Sequence, residues 1–404
     1  MSPAARSLPA RSGIMPPRRI LWLLDAPRMG GAEGMAARFA REHPPETDLR
    51  IAFWQTAAGH LEKEIARTGV PVYNLRARRR MDWAAAQRLR HYLEAWRPEL
   101  IHLHLQTATL WGGWLARRHK IPTVVTLHVL PGTAAAFRPR MFLYLEKLTL
   151  RHTAGKIIVL GEAHRQAWLA AGLPGERLLC LPHGLPERSA DRDAAMQLRR
   201  RLGLRAQAKL WLTVAVVRAA KGWREWLPAA RQIALHDASA HFAWLGGGAE
   251  WPELAREVRR QMPAARTHLP GEVAAPEVWY DASDGFIFPT HEEAQPTVLL
   301  EAMRAGLPVL ASDIAANREV LGDAGEYFCP ASAAALCAQW LRWAGNRQRR
   351  EVQSQLGKQR VTQTYCFSHW ARNLQHLYDR LTAYSAAQPA AEPGPSDCSV
   401  PLPL

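Results

Sequence analysis

Two glutamates in a Glu-x7-Glu spacing, Glu293 and Glu301, follow a short apolar run that ends at Pro289. The pattern predicts a loop that carries Glu293, then a helix that begins near Thr297 and is capped by Gly306. A carboxylate accepts hydrogen bonds from two hydroxyl groups, which suits a sugar or a ribose, and the free N–H groups of a first helical turn suit a phosphate. The alternative is a helix start with acids that only cap it, but Glu301 lies too deep in the helix to do so.

The elements that must position these residues alternate along the chain as short apolar runs and longer helical stretches. The runs are apolar on both faces, as strands in a helix-covered parallel sheet must be. Such alternation predicts doubly wound α/β folds that bind ligands at the carboxyl ends of their strands. Strands are predicted at Ile20–Leu24, Leu100–His104, Thr123–His128, Ile157–Leu160, Leu210–Val217, Phe242–Leu245, Gly285–Pro289 and Pro308–Ala311.

The length of 404 residues favours two domains. Residues 17–186 are predicted to form an N-terminal Rossmann-like domain and residues 187–366 a C-terminal one. Residues 367–385 have an apolar stripe at helical spacing and are predicted to form a helix that crosses back to the N-terminal domain. Residues 1–16 and 386–404 lack periodicity and are predicted to be a disordered lead-in and tail; Met15, rather than Met1, is an alternative start.

The composition, 48% hydrophobic and 22% charged, is that of a soluble globular protein. No apolar run approaches the roughly 20 residues that span a bilayer. The run Ile20–Leu24 is shorter than the roughly 7–15 residues of a signal-peptide core, so a cytoplasmic location is expected. The five cysteines form no Cys-x-x-Cys pair, which fits a reducing compartment and argues against a structural zinc.

Nearly all of the net charge of +16 lies in the first half of the chain. Residues 1–185 contain 27 Lys and Arg against 13 Asp and Glu, whereas residues 186–404 contain 25 against 23. This asymmetry points to an anionic partner of the N-terminal domain: membrane headgroups, a phosphorylated acceptor or nucleic acid. The alternative is a merely basic surface, and the run Arg76, Arg78, Arg79 and Arg80 is most simply a solvated face.

The Glu-x7-Glu spacing, with the flanking Leu-Leu-Glu-Ala-Met, Gly-Leu-Pro-Val and Asn-Arg-Glu-Val segments, resembles the donor-binding motif of the family 4 glycosyltransferases. The resemblance extends over about residues 18–384 and is strongest from 210 to 330. It implies a GT-B fold, in which two Rossmann-like domains face each other across a cleft. It also implies that the N-terminal domain takes the acceptor and the C-terminal domain takes the nucleotide sugar.

The resemblance carries over to further positions. Gly30 and Gly31 are similar to the family's glycine loop, which lets the backbone approach a diphosphate. His128 ends a predicted strand, like the histidine that the family places beside the donor sugar, although a lone histidine is more often structural. Arg218 and Lys221 match the cations that clamp the donor diphosphate.

The nucleotide-side glycine loop is matched by Gly246, and two positions depart from the family pattern. The usual arginine position is occupied by Val216, with Arg218 in a variant position. Ala294 and Gln295 stand where glycine and an apolar residue are usual, which leaves the donor's identity open.

The resemblance implies a retaining, metal-independent transfer without a cofactor, from a nucleotide sugar, with a UDP-sugar favoured. The hexosyl or N-acetylhexosaminyl group would go to a glycan or lipid-linked acceptor in cell-surface polysaccharide or lipopolysaccharide synthesis, in the cytoplasm or peripherally on the inner face of the plasma membrane. Glu293, Lys221, Arg218 and His128 are the predicted catalytic residues. The predicted donor-binding residues are Gly30, Gly31, Gly246, Ala294, Gln295, Thr297 and Glu301.

Two alternatives belong to other functional classes. One is a GT-B protein that binds sugar nucleotides or glycans without turnover, which the presence of Glu293, Glu301 and Lys221 opposes. The other is a basic α/β protein that binds nucleic acid; it should expose stacking aromatic residues and weaken steeply with salt. No nucleic-acid partner is expected on the favoured interpretation.

Overall fold

Two parallel β-sheets, each flanked by helices, form the framework of the chain. The computed structural model describes residues 17–27, 30–56, 61–132, 140–263 and 266–387. The first sheet has seven strands in the order β3-β2-β1-β4-β5-β6-β7, and the second has six in the order β10-β9-β8-β11-β12-β13. We refer to the first sheet and its helices as the N-terminal domain and to the second as the C-terminal domain. The predicted lead-in at 1–16 and nearly all of the predicted tail lie outside the described residues.

The N-terminal domain runs from the first strand to the seventh. Its strands are β1 (Arg18–Leu24), β2 (Thr47–Phe53), β3 (Val72–Asn74), β4 (Leu100–His104), β5 (Thr123–Thr126), β6 (Lys156–Val159) and β7 (Leu178–Cys180). Its helices are α1 (Gly31–Glu42), α2 (Leu61–Ala66), α3 (Trp83–Trp96), α4 (Gln106–Arg118), α5 (Arg140–Thr153) and α6 (Glu162–Ala170).

The C-terminal domain follows the same alternation. Its strands are β8 (Lys209–Val214), β9 (Ala240–Leu245), β10 (Thr267–Gly271), β11 (Gly285–Phe288), β12 (Val309–Ser312) and β13 (Gly325–Phe328). Its helices are α7 (Arg192–Arg201), α8 (Trp223–His236), α9 (Trp251–Gln261), α10 (Pro276–Ala282), α11 (Thr297–Ala305), α12 (Ala315–Leu321), α13 (Ala333–Ala344) and α14 (Arg347–Thr364). The last helix, α15, spans Phe367–Ala387.

Helix α15 packs against the N-terminal domain although it follows the C-terminal domain in the chain. Trp370, Leu374, Leu377 and Tyr378 are buried in the same hydrophobic cluster as β1 and α1. The indole of Trp22 in β1 donates a hydrogen bond of 3.0 Å to the Tyr378 hydroxyl. Burying such a side chain contributes about 1.5–3 kcal/mol, so this helix is an integral part of the N-terminal core.

Each predicted strand has a counterpart in the two sheets, and two carboxyl ends differ from the prediction by more than one residue. Strand β5 ends at Thr126, not His128, because its neighbour β4 ends at His104, which pairs with Thr126. Strand β8 ends at Val214, not Val217, because its neighbour β9 ends at Leu245. No helix among the described residues is long and apolar enough to cross a bilayer.

The strand order reverses between β1 and β4 in one sheet and between β8 and β11 in the other. In open α/β sheets such switch points leave a crevice at the carboxyl ends of the strands, and ligands bind there. The loops that follow β1, β8 and β11 carry most of the predicted site residues. The topology therefore locates the candidate site at these loops.

Candidate active site

The loop between β11 and α11 carries Glu293 and is braced by hydroxyl groups. The Thr290 hydroxyl lies 3.2 Å from Glu293 Oε1, and Ser312 donates a hydrogen bond to the Thr290 carbonyl. Helix α11 begins at Thr297, and no side chain caps its first turn. Gly306 ends the helix at φ 77°, a left-handed conformation that favours glycine. The predicted helix start and its glycine cap are confirmed.

Lys221 and Glu293 form an ion pair between the β8 and β11 loops, and both side chains are largely buried. Gly222 makes this approach possible, because a Cβ atom there would overlap the carbonyl oxygen of Pro289 and its φ is +75°. The His291 N–H also donates a hydrogen bond of 2.9 Å to the Ala220 carbonyl. The two loops are therefore joined by their backbones, and the cation lies against the carboxylate.

Arg218 lies on the same β8 loop with an exposed side chain, and in the described part of the chain it forms no ion pair. The neighbouring Val216 is 46% exposed. Gly246 follows β9 at φ +129°, and a Cβ atom there would overlap the Ala215 carbonyl oxygen. This glycine therefore lets the β9 loop pack on the β8 loop, and its predicted contact with the donor stays a prediction.

The first turns of helices α1 and α11 approach each other across the cleft. Gly30 is the N-cap residue of α1, has an extended conformation and offers no side chain to cap the helix, and Glu33 of the first turn lies close to it. Thr297 Oγ1 lies 3.9 Å from the position that a Cβ atom on Gly31 would occupy. Helix N-termini carry partial positive charge and unpaired N–H groups, so two that meet at one place favour an anion there.

Glu301 is engaged on both of its oxygens. Oε1 forms an ion pair with Arg38 of α1, and Oε2 accepts a hydrogen bond of 2.9 Å from Tyr280. Burial, followed by the adjacent Glu301 carboxylate, raises the pKa of the Tyr280 hydroxyl well above its usual value, so the phenol stays protonated and donates. Glu301 thus joins the two domains, a contact that sequence reasoning missed.

Gln295 is buried and contacts the segment that leads from the N-terminal to the C-terminal domain. Its Oε1 accepts a hydrogen bond of 2.8 Å from the His183 N–H, and its Nε2 lies 3.4 Å from the His183 carbonyl. The neighbouring Ala294 is buried as well. The Gln295 carboxamide is therefore held by the backbone at His183 and not free beside a sugar, and the donor-binding role of both residues stays a prediction.

Three further histidines surround His128, which follows β5 by two residues. His104 Nδ1 lies 3.0 Å from His128 Nε2, and the His183 ring stacks on His128 with 5.4 Å between centroids. His102 packs on His104 with 4.1 Å between ring centroids. The His102-x-His104 spacing places both histidines on one face of β4. Their position on the same face of the sheet could have been predicted from this spacing.

Burial keeps these imidazoles neutral. It lowers the pKa of His128 to about 3, with a further contribution from the nearby His164. It also holds the pKa values of His102, His104 and His183 well below their usual range, and neighbouring histidines add to this. Neutral imidazoles accept and donate hydrogen bonds without presenting charge to a sugar. The described residues contain no cluster of three or more His, Cys, Asp or Glu side chains suited to a metal ion.

A second carboxylate, Glu319 of α12, also reaches from the C-terminal to the N-terminal domain. Its Oε1 accepts a hydrogen bond of 2.6 Å from the Glu162 N–H, and its Oε2 one of 3.1 Å from the Ala163 N–H. These groups belong to the first turn of α6, whose own N-cap, Gly161, has no side chain. Glu319 thus caps a helix of the other domain, another contact that the sequence pattern did not indicate.

Two family models match most of the chain. Residues 30–184 match the model described as "Glycosyl transferase 4-like domain", and residues 208–346 match "Glycosyl transferases group 1". A putative teichuronic acid biosynthesis glycosyltransferase, TuaC of Bacillus subtilis, is 26% identical over 298 residues, which is 71% of this chain and 72% of that protein. A D-inositol 3-phosphate glycosyltransferase of Xylanimonas cellulosilytica is 24% identical over 58% of this chain and 60% of its own length.

Solved structures agree on the fold. The Anabaena protein HepE, crystallised in complex with UDP-glucose, superposes with a TM-score of 0.79 at 18% identity, over 90% of this chain and 100% of that one. A sucrose-phosphate synthase of Thermosynechococcus elongatus gives a TM-score of 0.75 at 19% identity, over 91% and 100%. The predicted fold, two Rossmann-like domains of the GT-B type, is confirmed. The chain belongs to the family 4 glycosyltransferases and is a glycosyltransferase.

Proposed function

We propose that this glycosyltransferase moves a hexosyl or N-acetylhexosaminyl group from a nucleotide sugar, most favourably a UDP-sugar, to a glycan or lipid-linked acceptor. Anomeric configuration would be retained, without a metal ion or cofactor. The observation that carries the proposal is the meeting of the first turns of α1 and α11 beside the Lys221–Glu293 ion pair. This geometry combines anion-binding N–H groups, a cation and a sugar-binding carboxylate in one crevice.

The diphosphate of the donor would lie at the two helix N-termini. Negative charge grows on it as the bond to the sugar breaks, and Lys221, Arg218 and the helix N–H groups would stabilise that charge. Arg218 is exposed and free of ion pairs within the described residues, so it is able to turn toward a bound donor.

The two glutamates would hold the two ends of the donor. Glu293 would orient the transferred sugar from its position beside Lys221, and His128 would face the same sugar. Glu301 would accept hydrogen bonds from the ribose, for which Arg38 must release at least one carboxylate oxygen. The acceptor hydroxyl would then attack on the face from which the diphosphate leaves.

The chain's charge and its relatives support the proposed acceptor and cellular setting. Residues 1–185 contain 27 basic and 13 acidic residues. This excess of positive charge supports an anionic acceptor or peripheral association with an anionic inner membrane face. The relative TuaC is named for teichuronic acid biosynthesis, which supports a role in cell-surface polysaccharide or lipopolysaccharide synthesis. HepE was crystallised with UDP-glucose, which supports a UDP-sugar as donor.

The donor assignment is tested with thermal unfolding in the presence of UDP-, GDP- and ADP-sugars. A ligand that binds only the folded protein at about 100 times its Kd stabilises it by about 2.7 kcal/mol, which raises the Tm by several degrees. We expect UDP-sugars to give the largest increase, and Lys221→Ala to reduce it. Stabilisation by GDP-mannose alone would contradict the UDP assignment, and no stabilisation by any nucleotide sugar would contradict the proposed function.

A further inference from the structure

The segment that joins β3 to α3, with the first residue of that helix, forms a second site candidate. We call residues 75–83 the arginine loop. Arg78, Arg79, Arg80 and Trp83 are all exposed, and Trp83 is 73% exposed, an unusual fraction for a tryptophan. In the part of the chain that the structure describes, no ion pair involves the three arginines. They therefore present positive charge that the protein does not neutralise.

Two buried indoles fix the backbone beneath these exposed side chains. Trp111 Nε1 donates a hydrogen bond of 2.9 Å to the Arg80 carbonyl, and Trp54 Nε1 lies 3.4 Å from the Arg79 carbonyl. The Trp54 and Trp111 rings stack with 5.5 Å between centroids and 13° between planes. The loop is thus anchored to the domain core at two consecutive residues.

The two ends of the loop are anchored as well. Asp82 accepts a hydrogen bond of 2.9 Å from the Arg78 N–H and caps α3 through the N–H groups of Ala84 and Ala85. Arg88 donates a hydrogen bond of 2.8 Å to the Leu75 carbonyl. A loop with an ordered backbone and free charged side chains loses little conformational entropy when it binds a ligand.

Trp83 extends the tryptophan pair to the protein surface. Its ring meets Trp111 edge-on, with 4.9 Å between centroids and 80° between planes. An edge contact fixes the ring and leaves its flat face to the solvent. A fixed indole face is the surface on which the apolar side of a sugar ring stacks, because it combines a large apolar area with a polar edge.

The arginine loop lies at the carboxyl end of β3, the same sheet edge as the Gly30 and His128 loops. The strand order β3-β2-β1 puts two strand spacings between β3 and β1. At about 4.8 Å a spacing this is roughly 10 Å, a distance that a short oligosaccharide spans. Ligands of open α/β sheets bind at this edge, which favours a saccharide entering the cleft over a bilayer lying on the helical flank.

We propose that the arginine loop binds an anionic saccharide, the non-reacting part of the acceptor chain. Trp83 stacks on one sugar ring, and Arg78, Arg79 and Arg80 pair with carboxylate or phosphate groups of that chain. Arginine suits both groups because its planar guanidinium forms two parallel hydrogen bonds with either. The inference rests on the proposed function insofar as it names the bound chain as the acceptor.

The test measures binding of oligogalacturonate, a chain of sugar carboxylates, and of an uncharged maltooligosaccharide of equal length. We compare the parent with Trp83→Ala, Trp83→Tyr and the triple variant Arg78→Ser, Arg79→Ser, Arg80→Ser. The matched control is the triple variant Arg200→Ser, Arg201→Ser, Arg205→Ser. These arginines are exposed on the C-terminal domain, and their substitution removes the same amount of positive charge. Vesicles of anionic phospholipid and a single-stranded oligonucleotide are measured in parallel.

We expect the parent to bind oligogalacturonate and not the neutral chain. The arginine-loop triple variant and Trp83→Ala should each raise the Kd at least about tenfold, as loss of an interface anchor does, and Trp83→Tyr should retain binding because it keeps an aromatic face. The control triple should leave the Kd within about twofold. Equal weakening by both triple variants would reduce the loop to a general basic surface, and equal binding of both saccharides would show that its arginines recognise no anionic group; either result would overturn the proposal.

The parallel ligands separate this proposal from other partners and from the donor assignment. If the loop variants abolish binding to vesicles or oligonucleotide but leave oligogalacturonate binding unchanged, the loop is a membrane or nucleic-acid contact and the saccharide proposal is wrong. The Tm increase with UDP-sugars is measured on every variant and should equal that of the parent. If UDP-sugars stabilise neither the parent nor any variant and oligogalacturonate binding still depends on the loop, the donor assignment fails and the saccharide site stands.

Discussion

The Lys221–Glu293 ion pair bears both on the stability of the folded protein and on the proposed reaction. It neutralises two largely buried charges, and in the proposed reaction it would supply a cation and a hydrogen-bond acceptor to a charged, hydroxylated substrate. A buried pair of this kind is costly when one partner is removed, because the other charge is left without compensation. Substitutions here must therefore be judged by turnover, substrate binding and stability together.

Glu293→Gln should lower kcat while UDP alone still raises the Tm, because Glu293 is proposed to orient the sugar and not the nucleotide. Lys221→Ala should lower kcat by roughly 10²–10³-fold, by analogy with the loss of one oxyanion-hole donor. Steady-state kinetics with a UDP-sugar and UDP thermal shifts check both. Glu292→Gln is the matched control, since it removes the adjacent carboxylate but not the ion pair. If Glu293→Gln transfers sugar at the parental rate, the sugar does not lie against this loop.

Residue types and spacing predicted the Glu293 loop and the helix start at Thr297, because strand ends and helix starts are local patterns, whereas Lys221 was predicted from the family resemblance. The partners of Glu301 and Gln295 were not predictable in this way. Arg38 lies in the other domain, and the contact between Gln295 and His183 joins two backbone segments distant in sequence. Such pairs depend on how the domains close, and a single sequence carries no pattern for that.

At the scale of elements, four of the five strands absent from the sequence prediction lie at sheet edges. They are β3, β7, β10 and β13, and the fifth, β2, carries charged residues on alternate positions. An edge strand has a partner on one side only and is less buried, so its apolar pattern is weaker. The central strands were predictable because burial on both faces leaves an uninterrupted apolar run.

The cap that Glu319 places on α6 is both a helix cap and a contact between domains. Glu319→Ala should lower the Tm, because loss of an N-cap costs about 1 kcal/mol, and should also lower kcat/KM by loosening the cleft. Adding Gly161→Ser to this variant supplies a local cap in place of the missing carboxylate. The double variant should regain the Tm but not kcat/KM, as measured by thermal unfolding and donor kinetics.

Two results bear on this interpretation. Gly161→Ser alone should behave like the double variant, because a Cβ atom at Gly161 would lie 2.7 Å from the Glu319 carboxylate and displace it. Recovery of kcat/KM together with the Tm in the double variant would show that Glu319 serves only as a helix cap.

At the scale of the whole molecule, the buried histidines make folding sensitive to mild acid. His128 has its pKa lowered to about 3 and His164 to about 4, mainly by burial, whereas an unfolded histidine titrates near 6.5. Between these values the unfolded chain binds more protons than the folded one, so stability is complete above pH 6.5 and falls as the pH drops. Each such histidine contributes up to about 1.4 kcal/mol per pH unit.

We therefore expect the free energy of unfolding in urea to decline between about pH 6.5 and about pH 5, before most carboxylates titrate. His164→Asn should make the decline shallower by about one proton, because it removes one group that is neutral only in the folded state. A free energy of unfolding that is constant over this range would show that these imidazoles are protonated in the folded protein. The variant's baseline at neutral pH serves as its own control.

The return of α15 to the N-terminal domain has a consequence for the order in which the protein is made. A chain emerges from the ribosome N-terminus first, and domains generally fold in that order. Here the Trp22 indole of β1 gains its hydrogen-bond partner, Tyr378, only when α15 has been made. The hydrophobic cluster that contains both residues is complete only then. The C-terminal domain has all of its strands by Phe328 and its last helix, α14, by Thr364, before α15 begins, so it is the domain that synthesis completes first. The domain that is translated first is thus the last to be finished, and the emergence of α15, not that of the first domain, permits its final packing.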